Sequence, residues 1–151
     1  MHDPLAFIAG AAAQTGRVAL VTGGASAAGA VVVQALAARG YAVAIHAHGS
    51  LPQARGLAER LEGAGVPSLA VTADFRDEGP VRAMVHRVAD HFGRIDAVVT
   101  CAAIWMRGRL EEATADDLRA HFDVNCVGTF VVAQEAGAVM AAQEMGGAIV
   151  T

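Results

Sequence analysis

Apolar residues in this chain fall into short uninterrupted runs separated by stretches with helical spacing. Uninterrupted runs are typical of strands buried on both faces of a parallel sheet. They predict five strands, at 17–22, 41–47, 68–73, 95–101 and 148–151. Helices are predicted over 27–39, from Pro52 to 63–65, from Asp77 to Gly93, and from Thr114 to about Glu144. This alternation predicts a doubly wound parallel α/β sheet, a Rossmann fold that stops after its fifth strand.

Length, charge and hydrophobicity then exclude several classes of protein. The 151 residues, 54% of them hydrophobic, are enough for one domain with a sizeable core. All 11 basic residues are arginines spread along a chain of net charge −4, which argues against a nucleic-acid partner. No apolar run approaches the roughly 18–20 residues of a membrane span, and residues 1–16 lack the basic start of a signal peptide. We therefore expect a cytoplasmic protein without a membrane partner.

Cysteine and histidine usage indicates no metal site. Cys101 and Cys126 lie in apolar surroundings without C-x-x-C spacing, which predicts reduced, buried thiols. The six histidines are scattered and form no ligand pattern such as H-E-x-x-H.

A glycine-rich segment between the first strand and the first helix carries the strongest chemical signal. It runs from Thr22 to Gly29 and includes Gly23 and Gly24. In this position glycines let the backbone approach a pyrophosphate, and the helix N-terminus favours negative charge. The spacing is not G-x-G-x-x-G, and an alanine- and glycine-rich helix start with no ligand is the alternative.

The segment resembles the T-G-x-x-x-G-x-G turn of the short-chain dehydrogenase/reductase family. Ala27 stands where the middle glycine usually falls, as in the pteridine-reductase-like branch, and its methyl group would be unfavourable by about 1 kcal/mol if that position needed a left-handed backbone. The resemblance covers 17–151. It implies that the turn binds a dinucleotide cofactor through Thr22, Gly23, Ser26, Ala27, Ala28 and Gly29.

Three further segments align with segments of the family, one of them with different residues. Asp74, followed by Phe75 after the third strand, matches the aspartate that contacts the adenine ring, although a solvated turn acid is an equal alternative. The family's N-N-A-G segment is replaced here, which makes weaker cofactor candidates of Cys101, Ala102 and Ala103. Asn125 aligns with a helix asparagine that helps to hold a proton-relay water beside the catalytic lysine. It is the one catalytic candidate, and an asparagine inside a helix is otherwise unfavourable.

The second strand bears on the choice of cofactor. NAD-selective Rossmann domains place an acid at the end of this strand, and none stands there. The segment 46–50 resembles the H-x-H-R-S segment of pteridine reductases, which receives a 2′-phosphate, with Gly49 in place of the arginine. His48 and Ser50 are predicted to donate to that phosphate, so NADP is preferred over NAD. A polar loop without this role is the alternative.

The family's chemistry also needs residues that this chain lacks. A tyrosine supplies the proton, and a lysine four residues later lowers its pKa. The chain has one tyrosine, Tyr41, and no lysine. We expect residues 1–16 to be an N-terminal extension and 17–151 to be a dinucleotide-binding domain incomplete at its C-terminus, inactive alone and part of a longer reductase.

The leading hypothesis is therefore an NAD(P)H-dependent reductase acting on a small carbonyl or imine-like substrate. Trp105 and Met106 are predicted to line the substrate mouth, or else simply to pack under a loop. The family also implies a homo-oligomer, a dimer or tetramer, because the helix after Thr114 corresponds to one that packs between subunits. The alternative is a nucleotide-binding module or regulator without catalysis. A flavodoxin-like or receiver domain is disfavoured by the glycine turn.

Overall fold

A computed structural model describes residues 15–151 as a five-stranded sheet with helices on both faces. Every neighbouring pair of strands is parallel, and their spatial order is β3-β2-β1-β4-β5. The strands are β1 Val18–Thr22, β2 Ala42–His46, β3 Ser68–Val71, β4 Ala97–Thr100 and β5 Ala148–Val150. The predicted doubly wound parallel sheet is confirmed, with each strand slightly shorter than its apolar run.

The helices follow the strands as predicted. They are α1 Ala27–Ala37, α2 Leu51–Gly63, α3 Glu78–Phe92, α4 Ala115–His121 and α5 Thr129–Ala141, with a π-helical segment, Phe122–Gly128, joining α4 to α5. We call this the π segment. Residues 1–14 of the predicted N-terminal extension lie outside the described residues.

Local hydrogen bonds fix where the helices begin and end. The carboxylate of Asp77 accepts from the Gly79 N–H at 3.1 Å and starts α3, which ends at Gly93 with φ of 78°. Thr114 starts α4 through a reciprocal capping box with Asp117. These caps confirm the predicted boundaries.

The core has two layers, one on each side of the sheet. Side chains alternate along β1, so Leu20 belongs to one layer and Val21 to the other. The first layer is closed by α3 and α5, and the second by α1 and α2. Burial on both faces explains why the strand sequences are continuously apolar.

The long helix predicted from Thr114 to about Glu144 differs from the structure in two ways. It widens into the π segment, and it ends at Ala141. Gln143 lies just after the end of α5, and its side chain bonds the N–H and C=O of Ile95, at 2.8 and 2.9 Å. Taken together, Ala115–Ala141 is long and apolar enough to cross a membrane by length and composition, although no uninterrupted apolar run indicated it. A helix in the core of a soluble protein can have the same length and composition, and here 28% of the most apolar 18-residue stretch is buried.

The prediction that both cysteines are buried is wrong, because Cys101 is only partly buried and Cys126 is exposed. Cys126 lies in the π segment between Val124 and Gly128, which face inward, and its own side chain faces outward. Cys101, after β4, is partly exposed.

Candidate functional site

A cleft of about 360 Å³ lies over the carboxyl ends of the central strands. The chain order reverses between β1 and β4, and open α/β sheets bind ligands at such a switch point. The loops after β1, β2, β3 and β4 all contribute walls. The lining residues are Gly23, Ala25, Ser26, His46, Ala47, His48, Gly49, Ser50, Asp74, Phe75, Arg76, Cys101, Ala102, Ala103, Ile104 and Val124.

The glycine turn forms the first wall and is too closely packed for side chains. Gly23 has φ of +62°, and a Cβ there would lie 2.8 Å from the Ala102 nitrogen. A Cβ on Gly29 would lie 2.1 Å from the Gly23 carbonyl oxygen, so α1 approaches the turn at a distance that only glycine allows. Ala27 carries no strain of this kind, because no non-glycine residue in 15–151 has a positive φ.

Several N–H groups of this turn are already used inside the protein. The Ser26 N–H donates to the Gly23 carbonyl at 2.9 Å, and the Ser26 hydroxyl accepts from the Gly29 N–H at 3.1 Å. Within the described part of the chain, the N–H groups of Ala25, Ala27 and Ala28 have no partner. Donors left free at a helix N-terminus favour an anion.

The wall after β4 is held to β1 through Thr22. The buried Thr22 hydroxyl accepts from the Ala102 N–H at 3.2 Å, and its carbonyl accepts from the Cys101 N–H at 3.1 Å. Burial raises the pKa of the Cys101 thiol, which therefore stays protonated near neutral pH. Thr22 thus supports the cleft without lining it.

The wall after β3 carries an ion-pair cluster. Arg76 bonds both carboxylate oxygens of Asp74, with Nη2 to Oδ2 at 2.5 Å, and His48 lies 3.6 Å from the same oxygen. The side-chain hydrogen bond from Arg76 is the main reason that the pKa of Asp74 falls to about 2. The acid is therefore ionised under all ordinary conditions.

His46 lies at the centre of these walls. Its ring is 2% exposed and stacks on Phe75, with centroids 4.8 Å apart. Its Nδ1 accepts from the Gly23 N–H at 3.1 Å, and its Nε2 is 3.1 Å from the Ala73 carbonyl oxygen. Burial is the main reason that its pKa is lowered.

Asn125 lies in the π segment next to the cleft but does not line it. Its Oδ1 accepts from the Ile104 N–H at 2.9 Å, and its Nδ2 donates to the Ile104 carbonyl at 3.1 Å. Both halves of the amide are therefore occupied in holding the loop after β4, beside Val124, which does line the cleft.

The structure brings most of the predicted site residues together. Lining the cleft are Gly23, Ser26, His48, Ser50, Asp74, Phe75, Cys101, Ala102 and Ala103; adjacent to it but not lining it are Thr22, Ala27, Ala28, Gly29 and Asn125. Trp105 is 81% exposed, and Met106 lines a separate cavity formed with the loop 107–113 and α4.

Neither His46 nor Arg76 had an individual role predicted from the sequence. A polar residue ending the apolar run of β2 was the available signal for His46, and the arginine directly after Asp74 and Phe75 was the signal for Arg76.

The parallel sheet, its switch-point cleft and the glycine turn define a nucleotide-binding protein of the Rossmann type. The profile of the short chain dehydrogenase family matches residues 17–151, and the chain belongs to that family.

Similarity to individual proteins agrees with this assignment. Versicolorin reductase 1 of Dothistroma septosporum is 33% identical over 121 residues, which cover 80% of this chain and 46% of that protein. The 3-oxoacyl-acyl-carrier-protein reductase of Staphylococcus aureus is 34% identical over 134 residues, covering 87% of this chain and 53% of that protein. A short chain dehydrogenase from Burkholderia cenocepacia, solved in complex with NADP, superimposes with a TM-score of 0.79 at 38% identity, covering 82% of this chain and 51% of the other. The chain spans about half the length of the curated relatives it matches.

Proposed function

We propose that this chain forms the cofactor-binding half of an NAD(P)H-dependent reductase that transfers hydride to a small carbonyl or imine-like substrate. The observation that carries the proposal is the convergence of the glycine turn, His48 with Ser50, and Asp74 on one cleft. Its volume of about 360 Å³ suits a small-molecule site. The bound nicotinamide supplies the hydride in this chemistry.

Each wall has a part in the proposed binding. The free N–H groups at the start of α1, with Ser26, hold the pyrophosphate, because a helix N-terminus favours anions. Asp74 and Phe75 hold the adenine end. The small residues Ala102 and Ala103, with Cys101, form a floor that lets the ribose approach the end of β4.

Binding is tested by placing a carboxylate at the start of α1. Ala28→Asp keeps the first helical turn favourable, because acids there complement the helix dipole. The added charge repels the pyrophosphate, so affinity for both NADPH and NADH should fall at least about tenfold by titration calorimetry. Ala115→Asp, in the exposed first turn of α4, is the matched control and should bind like the wild type. Equal affinity in both variants would contradict the proposed pyrophosphate site.

We further propose that the cofactor is NADPH rather than NADH. No acid stands at the end of β2, and His48 and Ser50 offer donors there. The NADP bound to the Burkholderia cenocepacia relative supports this choice.

The cofactor preference is tested at Gly49. A Cβ on this exposed residue meets no atom within 4 Å, so Gly49→Asp adds a carboxylate without a collision. NADPH affinity should fall by about fivefold to tenfold while NADH affinity is retained. Gly63→Asp makes the same change in open space at the end of α2 and should alter neither affinity. Equal or tighter binding of NADH by the wild type would overturn the preference.

A second candidate function is a nucleotide-binding module without catalysis. The observation that favours it is the absence of lysine from these 151 residues, together with the position of Tyr41 before β2, among residues of a different cavity. Oxidation of NADPH by the intact protein in the presence of aldehydes, ketones and cyclic imines distinguishes the two. Turnover supports the reductase, whereas tight binding without turnover supports the module.

The outer face of the helix 115–141 bears on how the protein assembles. We propose a cytoplasmic homo-oligomer that associates through the outer face of the helix 115–141. That face exposes large apolar side chains, which mark protein contact sites when they are contiguous. They are Leu118, Phe122, Val127 and Phe130.

A further inference from the structure

His46 makes two bonds to consecutive N–H groups of the glycine turn. Its backbone carbonyl accepts from the Gly24 N–H at 2.8 Å, and its ring Nδ1 accepts from the Gly23 N–H at 3.1 Å. A single residue at the end of β2 therefore fixes the point where the chain leaves β1.

The opposite edge of the same ring holds the loop after β3. Its Nε2 lies 3.1 Å from the Ala73 carbonyl oxygen, and the ring stacks on Phe75 with an interplanar angle of 18°. The imidazole thus bridges two walls of the cleft, those that carry the glycine turn and Asp74.

Only one protonation state satisfies both contacts. A backbone N–H can only donate and a carbonyl can only accept. Nδ1 must therefore be bare and Nε2 must carry the hydrogen, which is a neutral imidazole. In the cation, an N–H at Nδ1 would face the N–H of Gly23, and this bond would be lost.

We infer that His46 is a positioning residue for nucleotide binding, whose neutral Nε2–H form holds the glycine turn in place and whose protonation releases it. This deepens the proposed function and rests on it. Affinity for the nucleotide should therefore fall as the solution becomes acidic, although the pyrophosphate itself does not change charge.

The surroundings of the ring act in the same direction. Burial and the nearby His48 both lower the pKa of His46 from 6.5, while the bond to Ala73 opposes them. The neutral form therefore dominates at neutral pH, and protonation releases the turn only at a pH below the ordinary histidine pKa of 6.5. The other ionisable side chains lining the cleft are Asp74, Arg76 and Cys101.

The first test needs no nucleotide. In the full chain labelled with ¹⁵N-histidine and ¹⁵N-glycine, NMR should find His46 with Nδ1 bare and Nε2 protonated at neutral pH. The Gly23 amide resonance should shift at the pH where His46 titrates. The Nδ1–H tautomer, or a Gly23 amide that is insensitive to that titration, would overturn the inference.

The second test separates the two contacts by substitution. His46→Asn places an amide oxygen near Nδ1 and so keeps an acceptor for Gly23, whereas His46→Gln offers a donor to Ala73 and no acceptor for Gly23. At neutral pH we expect NADH affinity to fall about threefold in H46N and at least tenfold in H46Q, since the partly buried Gly23 N–H left without a partner is the greater loss. NADH is the probe because it lacks the 2′-phosphate, which titrates near pH 6.

The pH profile distinguishes this role from simple packing. Wild-type affinity should fall as the pH drops below about 6.5, the ordinary pKa from which that of His46 is lowered, whereas H46N should be flat because its amide does not titrate. His48 remains in every variant, so the difference between profiles reports His46. His91→Asn, at an exposed position of α3, should keep the wild-type profile. A wild-type profile in H46N would overturn the inference.

A different outcome would separate the inference from the proposed function. If the wild type binds no nucleotide but gives the expected NMR result, the proposed function is overturned, while the contact of His46 with the glycine turn is supported.

Discussion

At the scale of single residues, the side chain of Asn125 is committed to the backbone of Ile104. Donor and acceptor are both used, at 3.1 and 2.9 Å. The catalytic role of Asn125 stays a prediction, and the structure shows its side chain holding the loop after β4. This is a narrower role than the type and position of the residue indicated.

Asn125→Ala should destabilise the protein by about 1–3 kcal/mol, because the Ile104 N–H and C=O each lose a partner. The measurement is urea unfolding, with hydrogen exchange at the Ile104 amide. Asn125→Asp keeps an acceptor for that amide and loses the donor, so its exchange should remain slower than in the alanine variant. Identical exchange in the two variants would show that the side-chain contact does not protect the amide.

Asp74 sets a second expectation at this scale, in its dependence on pH. Hydrogen bonding to Arg76 lowers its pKa from 3.8 to about 2 in the folded protein. A depressed acid stabilises the fold above its unfolded pKa, and this stabilisation is lost as the pH falls from about 3.8 through about 2. The urea midpoints of the wild type and of Asp74→Asn should therefore differ at neutral pH and become similar near pH 2. Asp90→Asn removes an exposed acid of α3 outside this ion-pair cluster and is the control, whose urea midpoint at neutral pH should be close to that of the wild type.

At the scale of elements, the glycine turn depends on how closely α1 approaches the end of β1. A methyl group on Gly29 would lie 2.1 Å from the Gly23 carbonyl oxygen, so the helix or the turn must shift. Gly29→Ala should therefore cost about 1–3 kcal/mol of unfolding free energy. Gly137→Ala, in open space within α5, should be neutral or stabilising by up to about 1 kcal/mol. Urea denaturation of the two variants tests this difference in stability, and equal stability would mean that the turn tolerates a side chain.

Local signals predicted the elements well, and partners distant in sequence account for what they missed. Asp77, Gly93 and Thr114 define helix boundaries through contacts within their own segments, so their roles follow from the sequence. The position of the π segment does not follow from the sequence in this way. It coincides with the bonds of Asn125 to Ile104 and with the close packing of Gly128 on Phe75, and neither contact is visible until the chain is folded.

The same distinction applies to the cleft. The glycine turn is a local pattern and was predicted with the correct neighbours. The position of His46 depends on β2 lying between β1 and β3, and strand order cannot be obtained from hydrophobic periodicity. The walls of the site were therefore predictable from the sequence, whereas the side chain that joins two of them was not.

At the scale of the whole molecule, the apolar face of the helix 115–141 is expected to control assembly. Phe130 is 61% exposed on that face. Phe130→Glu should place charges in the proposed interface and reduce the mass of the intact protein, measured by light scattering, to that of the monomer. Val31→Glu alters a residue that is 66% exposed on α1 and should leave the mass unchanged. A monomeric wild type would contradict the proposal.

The wall between β1 and β4 has a consequence for biosynthesis. Gly23 meets His46 across 23 residues, whereas Thr22 meets Ala102 across 80. Proteins are made from the N-terminus, so a nascent chain can form the histidine contact while β4 is still inside the ribosome. Closing the larger loop also carries the greater entropic penalty. The cleft is therefore incomplete until β4 has emerged, and until then the early half-sheet must rely on its own packing to resist aggregation.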